Sequence, residues 1–354
     1  MEKGSKTKGD KGHSATSPAQ MPERAWKDIL IRTYKRTWAD NVGLVAAGVA
    51  FYGFFALLSL LGLIVLVYGF VADPRTVIDQ MQSLTNILPG DVTSLIGQQL
   101  MTSVDSSHGA KGFGILLAIL VAIYGGTNGA TAVITALNIS YEEKEKRSLV
   151  RVYLVAIGMT LGAVAVTFAA LAAMATLSFL TKLLPSASSV AVTAGKVGGY
   201  VVLALFAAAV AATLYRFGPS RQDAKWRWIT PGSTFAAILW ILLTLAFGFY
   251  LTHFTNYHKS YGPLAAVVAL LSWMYLCAYV FMFGAELNSE IEHQTARDST
   301  TGKPLPMGDR GAWAADHVAD DDEPDTKHAP SLADATTDAP GQDDESKRKS
   351  GRGK

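Results

Sequence analysis

The chain has 354 residues, 50% hydrophobic and 17% charged, with a formal net charge of +2 and a mean hydropathy of +0.24. Both ends are plainly hydrophilic, so the apolar excess is concentrated in the middle, as in a membrane protein rather than a water-soluble domain. The single cysteine, Cys277, excludes an intramolecular disulfide framework and a cysteine-based metal site.

Residues 1–21 form a basic tail rich in Lys, Gly and Ser, for which disorder is predicted. Over residues 22–41, Trp26, Ile29, Leu30, Tyr34 and Trp38 recur at helical spacing, with Arg24, Lys27, Arg32, Lys35 and Arg36 between them. That pattern predicts an amphipathic helix, lying in the interface among anionic headgroups or leading, solvated, into the first span. Nothing before it resembles a cleaved signal: the first apolar run starts near Val42 and is too long for one.

Six apolar runs follow, at about 42–71, 113–139, 149–181, 197–217, 231–252 and 263–288. At about 1.5 Å per residue each can cross a hydrocarbon core of about 30 Å. The last is the clearest, with no charge from Pro263 to Gly284 and then Glu286, Asn288, Glu290 and Glu292 together. The predicted fold class is therefore all-α and integral to a membrane, a six-helix transmembrane bundle over residues 42–293. An even number of spans puts both termini on one side. Lys and Arg number nine before the first span, four at each of the next two turns on that side and nine after the sixth, against two, two and one on the other side. The positive-inside rule then places both termini in the cytoplasm.

The first outer loop, about 72–112, carries two apolar stripes, Val77, Ile78, Met81, Leu84 and Leu88, then Val92, Leu95, Ile96 and Leu100, separated by Pro89-Gly90. Two amphipathic helices are predicted there. The last outer loop, THFTNYHKSYG, offers Tyr250, Tyr257 and Tyr261 as interfacial anchors, and its His253 and His258 match no helical metal pair. After Gln294 the chain turns rich in Pro, Gly and Asp, with an acidic block at Asp320–Glu323 and a basic end, so 294–354 reads as a disordered cytoplasmic tail.

Inside the spans, Gly125 with Gly129, Gly158 with Gly162, and Gly195 with Gly199 have the spacing that lets helix backbones approach. Asn128 lies within the second span, where an unpaired amide costs several kcal/mol, so it is expected to face the bundle or a polar cavity. No Asp, Glu, Lys or Arg lies near mid-span, which argues against a chain of buried carboxylates for proton relay. Charges gather instead at the cytoplasmic ends, where Glu142, Glu143, Glu145, Arg147, Arg151, Arg216 and Arg221 meet Glu286 and Glu290 in what reads as an exposed salt-bridge rim.

Several segments together resemble the YihY/BrkB-like bacterial inner-membrane proteins, once labelled ribonuclease BN, across about residues 25–318. The carrying segments are AAGVAFYGFF at Ala46–Phe55, YGFVADP at Tyr68–Pro74 and ALNISYEEKEKR at Ala136–Arg147. LYRFGPSR at Leu214–Arg221, WRWITPGS at Trp226–Ser233 and the stretch Ser260–Glu292 complete the set. Within them Tyr52, Ser59, Tyr215, Pro219, Pro231, Gly232, Tyr261, Gly262 and Gly284 stand as structural-motif positions. Ser59 replaces a proline usual in the family, and a serine bonding back to the preceding turn bends a helix less than a proline does.

The resemblance implies a six-span inner-membrane protein of the cell envelope, in a family tied to lipid or lipopolysaccharide-precursor movement and to resistance to host killing. The expected role is a transporter or flippase-like protein for a lipid or amphipathic solute, with Asn128, Asn138, Arg147, Arg151, Arg216, Arg221, Glu286 and Asn288 as candidate contacts. The alternative is a scaffold that recruits partners through its cytoplasmic tails. A membrane-bound hydrolase or nuclease is more remote: the seven histidines are scattered over tails and loops and no acid–base pair is apparent. Neither a catalytic residue, a metal nor a cofactor is expected. Membrane lipids are the expected partners, a homo-oligomer or an envelope-protein partner stays open, and nucleic acid is not expected.

Overall fold

Asn41 turns the chain from the bundle surface into the bundle. Its backbone adopts φ 50°, the left-handed region that Asn tolerates better than most residues, and its carbonyl accepts from the amides of Leu44 and Val45. A computed structural model describes residues 11–71, 108–183, 189–253 and 263–319. Its helices are α1 (Glu23–Ala39), α2 (Val42–Val71), α3 (His108–Ser140), α4 (Leu149–Leu183), α5 (Ser189–Phe217), α6 (Trp226–His253), α7 (Pro263–His293) and the short α8 (Trp313–Asp316). All of them lie in the unit that ends at Val318. The described residues hold no strand, only an isolated antiparallel bridge between Ala224 and Thr300.

The all-α class and the six apolar helices are as predicted: α2 to α7 each contain a stretch long and apolar enough to cross a membrane. The expected helices of the first outer loop lie outside the described residues, as do Tyr257, His258, Tyr261 and Gly262.

α7 is the hub, packing on α1, α2, α3, α6 and α8. α5 packs on α6, α2 on α3, and α4 on α3 through Ala156 against Ala130 and Ile134. Of the glycine pairs, Gly125 and Gly129 do serve close approach: a Cβ on Gly125 would stand 2.7 Å from the Ser59 hydroxyl, and one on Gly129 3.3 Å from Ala56. Nothing among the described residues lies within 4 Å of a Cβ placed on Gly158, Gly162 or Gly199. Ser59 bonds back to the Phe55 carbonyl at 2.8 Å, the local bond expected of it.

Among the described residues the buried side chains collect at one end of the bundle, where the chain enters α2 and α6 and leaves α3, α5 and α7. Val42, Ala46, Ala136, Ala278 and Met282 form one cluster, and Leu137, Tyr141, Tyr215, Ile229 and Ala285 another. α1 buries Ala25, Ile29, Thr33 and Thr37 and leaves Leu30, Ile31, Tyr34 and Trp38 outside, Trp38 at 68% exposure. That outer face suits an interfacial helix; Arg32 and Arg36, read from sequence among the headgroup contacts, instead turn inward.

Two tail boundaries differ from expectation. Residues 11–21 and 294–318 are folded onto the bundle end. Gln294 donates to the Lys11 carbonyl, Thr295 to that of Ala15, and the Ala296 amide to that of His13. Sequence composition misreads these segments because their order comes from backbone bonds and buried small residues such as Ala15 and Ala312, not from a run of large apolar side chains.

Candidate functional site

The turn between α3 and α4 is built around Asn138. Its amide Nδ2 donates to Glu145 at 3.0 Å, its Oδ1 accepts from the Ser220 amide at 2.7 Å, and its carbonyl accepts from the Glu143 amide. Arg147 grips Glu145 with two nitrogens, each at 2.8 Å, and reaches the Gly218 carbonyl at 2.9 Å. Those bonds hold the Glu145 carboxyl down at about 2 against its partial burial. The α3–α4 and α5–α6 turns are thereby tied into one layer.

Under that layer lies a second ion pair. Arg221 meets both carboxylate oxygens of Glu292, at 2.8 and 2.5 Å, and each side chain is about 1% exposed. Ser299 donates to the same carboxylate, and the guanidinium lies 5.1 Å from the Tyr141 ring. The segment after α7 closes over the pair: Lys225 donates its amide to Ser299, Thr301 to Asp223, and Trp313 to Glu143.

A third group fills the space between α1, α2, α3 and α7. Arg32 bonds Glu290 at 2.6 Å, and Arg36 pairs with Glu142 and lies 3.5 Å from Glu290. Glu142 takes a left-handed φ of 56°, an uncommon backbone state for Glu, with its side chain anchored by Arg36. Glu286, 2% exposed, stands one turn before Glu290 and one turn after Met282, on the apolar side of the group. Most of the charged rim is therefore buried or half-buried rather than exposed, because α1 and the two folded end segments cover it, while Glu145 and Arg151 stay at the surface. It also brings carboxyls together at the bundle end, away from mid-span.

Asn288 works on α6. Its Nδ2 donates to the Ile229 carbonyl at 3.0 Å and its Oδ1 accepts from the Gly232 amide at 2.7 Å, on either side of Pro231, which has no amide proton to offer. Gly232 and Gly284 are the crossing point of α6 and α7: a Cβ on Gly284 would stand 2.6 Å from the Tyr215 hydroxyl and 2.8 Å from the Gly232 carbonyl. Tyr215 donates to the Phe281 carbonyl at 2.6 Å, and Pro219 is buried in the α5–α6 turn.

The remaining candidates stand apart. Arg216 lies over the half-exposed ring of Trp226 at 4.6 Å and beside Phe217 at 5.3 Å, with Asp223 at 3.9 Å and no hydrogen bond at its buried Nε. Arg151 is exposed on α4. Asn128 is half-buried in α3, its carbonyl accepting from Thr131.

The family model described as Virulence factor BrkB matches residues 33–306. The chain belongs to the BrkB family. Among the similar proteins, the ribonuclease-like protein YfkH of Bacillus subtilis (strain 168) is 27% identical over 243 residues, covering 67% of this chain and 86% of its own. A UPF0761 membrane protein of Pseudoalteromonas atlantica (strain T6c / ATCC BAA-1087) is 27% identical over 267 residues, 70% and 84% of the two chains. The UPF0761 membrane protein Smlt0865 of Stenotrophomonas maltophilia (strain K279a) is 38% identical over 78 residues, 22% of this chain and 18% of its own. No solved structure matches. For this BrkB-family chain, parts of every quoted motif segment except Tyr68–Pro74 meet at the bundle end: α2's start, the α3–α4 turn, the α5–α6 turn and α7's last three turns form its buried polar layer. Sequence reading missed Asp40, Arg32, Arg36 and Glu292 as members of that layer. The signal was there in part: Arg32 and Arg36, like Glu286 and Glu290, are spaced by four, so each pair lies on one helix face.

Proposed function

We propose that this BrkB-family protein is a transporter or flippase-like protein for an anionic lipid or amphipathic solute, without catalytic chemistry of its own, and that Arg216 is its headgroup contact. The carrying observation is how the four candidate arginines are employed. Arg147 and Arg221 are committed to Glu145 and Glu292, and Arg151 stands alone on the α4 surface. Arg216 keeps a buried Nε without a hydrogen bond while its plane rests on Trp226 at the boundary between apolar helix and polar turn. A guanidinium stacked on an aromatic ring retains its in-plane donors for a phosphate or carboxylate. With the basic turns in the cytoplasm, as the charge distribution implies, the headgroup is taken from the inner leaflet of the bacterial inner membrane. Asn128, ten residues and about 15 Å farther along α3 from Asn138, is the next side-chain amide such a headgroup meets.

Native mass spectrometry of the protein released gently from its membrane tests this reading. Wild type is expected to retain an anionic lipid that Arg216→Gln loses by tenfold or more in occupancy. Equal retention by both removes the headgroup assignment. A protein partner retained in place of a lipid favours the scaffold reading.

A further inference from the structure

α7 carries a graded series of ionisable groups on one face. His293 lies 3.6 Å from Glu290, and Glu290 meets Arg32 and Arg36. One turn deeper, Glu286 faces Asp40 from the α1–α2 corner, and Ser140 and Tyr141 from the end of α3. Beyond it Met282 seals the group against Val42 and Ala136. The groups facing Glu286 and Asp40 from the surrounding elements are therefore Arg36 on α1, Ser140, Tyr141 and Glu142 after α3, and Glu290 on α7.

The charges do not balance. Four carboxyls, Asp40, Glu142, Glu286 and Glu290, share two arginines, Arg32 and Arg36, among the described residues. Even a charged His293 leaves one carboxyl without a counter-charge. An uncompensated carboxylate at 2% exposure costs several kcal/mol, so a buried group of this kind neutralises instead. The polar atoms point the same way. Among the described residues, Glu286 Oε1 and Asp40 Oδ2 are buried without a hydrogen-bond partner, and Glu286 is more than nine-tenths buried. A carboxylate offers acceptors only; a protonated one adds the donor that a neighbouring carboxylate lacks.

We infer that Glu286 and Asp40 form a proton-binding site, a buried and a half-buried carboxyl that together take up and release a proton at the polar end of the bundle. Glu290 and His293 lead from it toward the surface. Burial pushes the Asp40 carboxyl up to about 6, with Glu290 adding to the push and Arg36 opposing it. Burial raises Glu142 to about 7 against the pull of Arg36. The folded protein thus keeps protons that an unfolded chain releases from about pH 4 upward, so their stabilisation is lost as pH rises through about 6 to 7. The site goes beyond the headgroup reading and does not rest on it.

Infrared spectroscopy of the full chain in lipid bilayers, titrated from about pH 5 to about pH 8, tests the inference through the C=O stretch of a protonated carboxyl. Wild type is expected to show a band that titrates in this range. Glu286→Gln should remove the share of it that Glu286 carries, leaving that of Asp40 and Glu142. Asp40→Asn, which keeps the shape and deletes the like charge, should lower its midpoint by about one unit, a tenfold loss of proton affinity, and gives the reading should the Glu286 variant not fold. Arg216→Gln should leave the titration unchanged, so failure of the headgroup reading and failure of this one are separable. A wild type without a titrating band, a band whose amplitude is unchanged by Glu286→Gln, or a midpoint that moves with sodium concentration at constant ionic strength overturns the proton site. The last of these would assign the pair to a monovalent metal cation.

Discussion

Arg221 and Glu292 show how a residue that looks like a surface ligand becomes structural once its surroundings are known. In a turn of charged residues, Arg221 has the make-up of a headgroup contact; in the fold its guanidinium is spent on one carboxylate and one ring. Removing one member of such a buried pair leaves the other charge stranded, which costs more than the pair itself contributes. Arg221→Met is therefore expected to destabilise the protein by about 3–5 kcal/mol, and Arg221→Met with Glu292→Leu to recover most of that loss. Thermal unfolding of the three proteins in the same detergent checks it; an additive double variant would mean that the two side chains are not coupled. Asn288 belongs to the same category. Its sequence position, between two glutamates at the end of a span, suggested a polar contact for substrate. Its amide instead serves the α6 backbone around Pro231.

At the scale of elements, α7 and the segment after it form a continuous structure. The chain does not stop being ordered at His293: Asp298 caps the following turn through the amides of Thr300 and Leu305, and the bonds of that turn hold its carboxyl below the usual range. Arg310 then ties the segment together by donating to the carbonyls of Leu305, Ala315 and Ala296. A chain ended after His293 loses these bonds and uncovers Glu292, whereas one ended after Val318 keeps them. The shorter is expected to melt lower by about 5 °C or more, since several buried hydrogen bonds at about 1 kcal/mol each are lost. Matching melts would show that residues 294–318 only decorate the bundle end. α2 makes a complementary case: Ser59 satisfies itself within the helix and leaves Gly125 to accept it from α3, so the two helices meet at small residues.

Across the molecule, burial and charge among the described residues are concentrated at one end of the bundle, and Phe51, Phe55, Leu116, Leu120, Leu203 and Leu242 keep large apolar side chains outside along the spans. Such an exterior is what a lipid environment accepts and water does not. The basic turns are expected to face the cytoplasm. With Cys277 replaced by Ala, a cysteine at Lys303 should react with an impermeant thiol reagent only after the inner membrane is opened. One at Lys259 should react before. The reverse pattern would invert the orientation argued from Lys and Arg placement.

The sequence by itself determined the class and the spans, because a run of some twenty uncharged residues has few other solutions than a membrane helix. It also determined that charge accumulates at alternate turns, since that information is one-dimensional. What only the tertiary structure decided is which charges meet. Arg32 and Glu290 are 258 residues apart, and Arg221 and Glu292 are 71 apart. No periodicity announces such pairings, and the ordinary expectation for charges at span ends is a solvated rim. Most of the rim is buried or half-buried because α1 and the two end segments lie over it, held by backbone hydrogen bonds and small side chains that composition cannot distinguish from a loose tail.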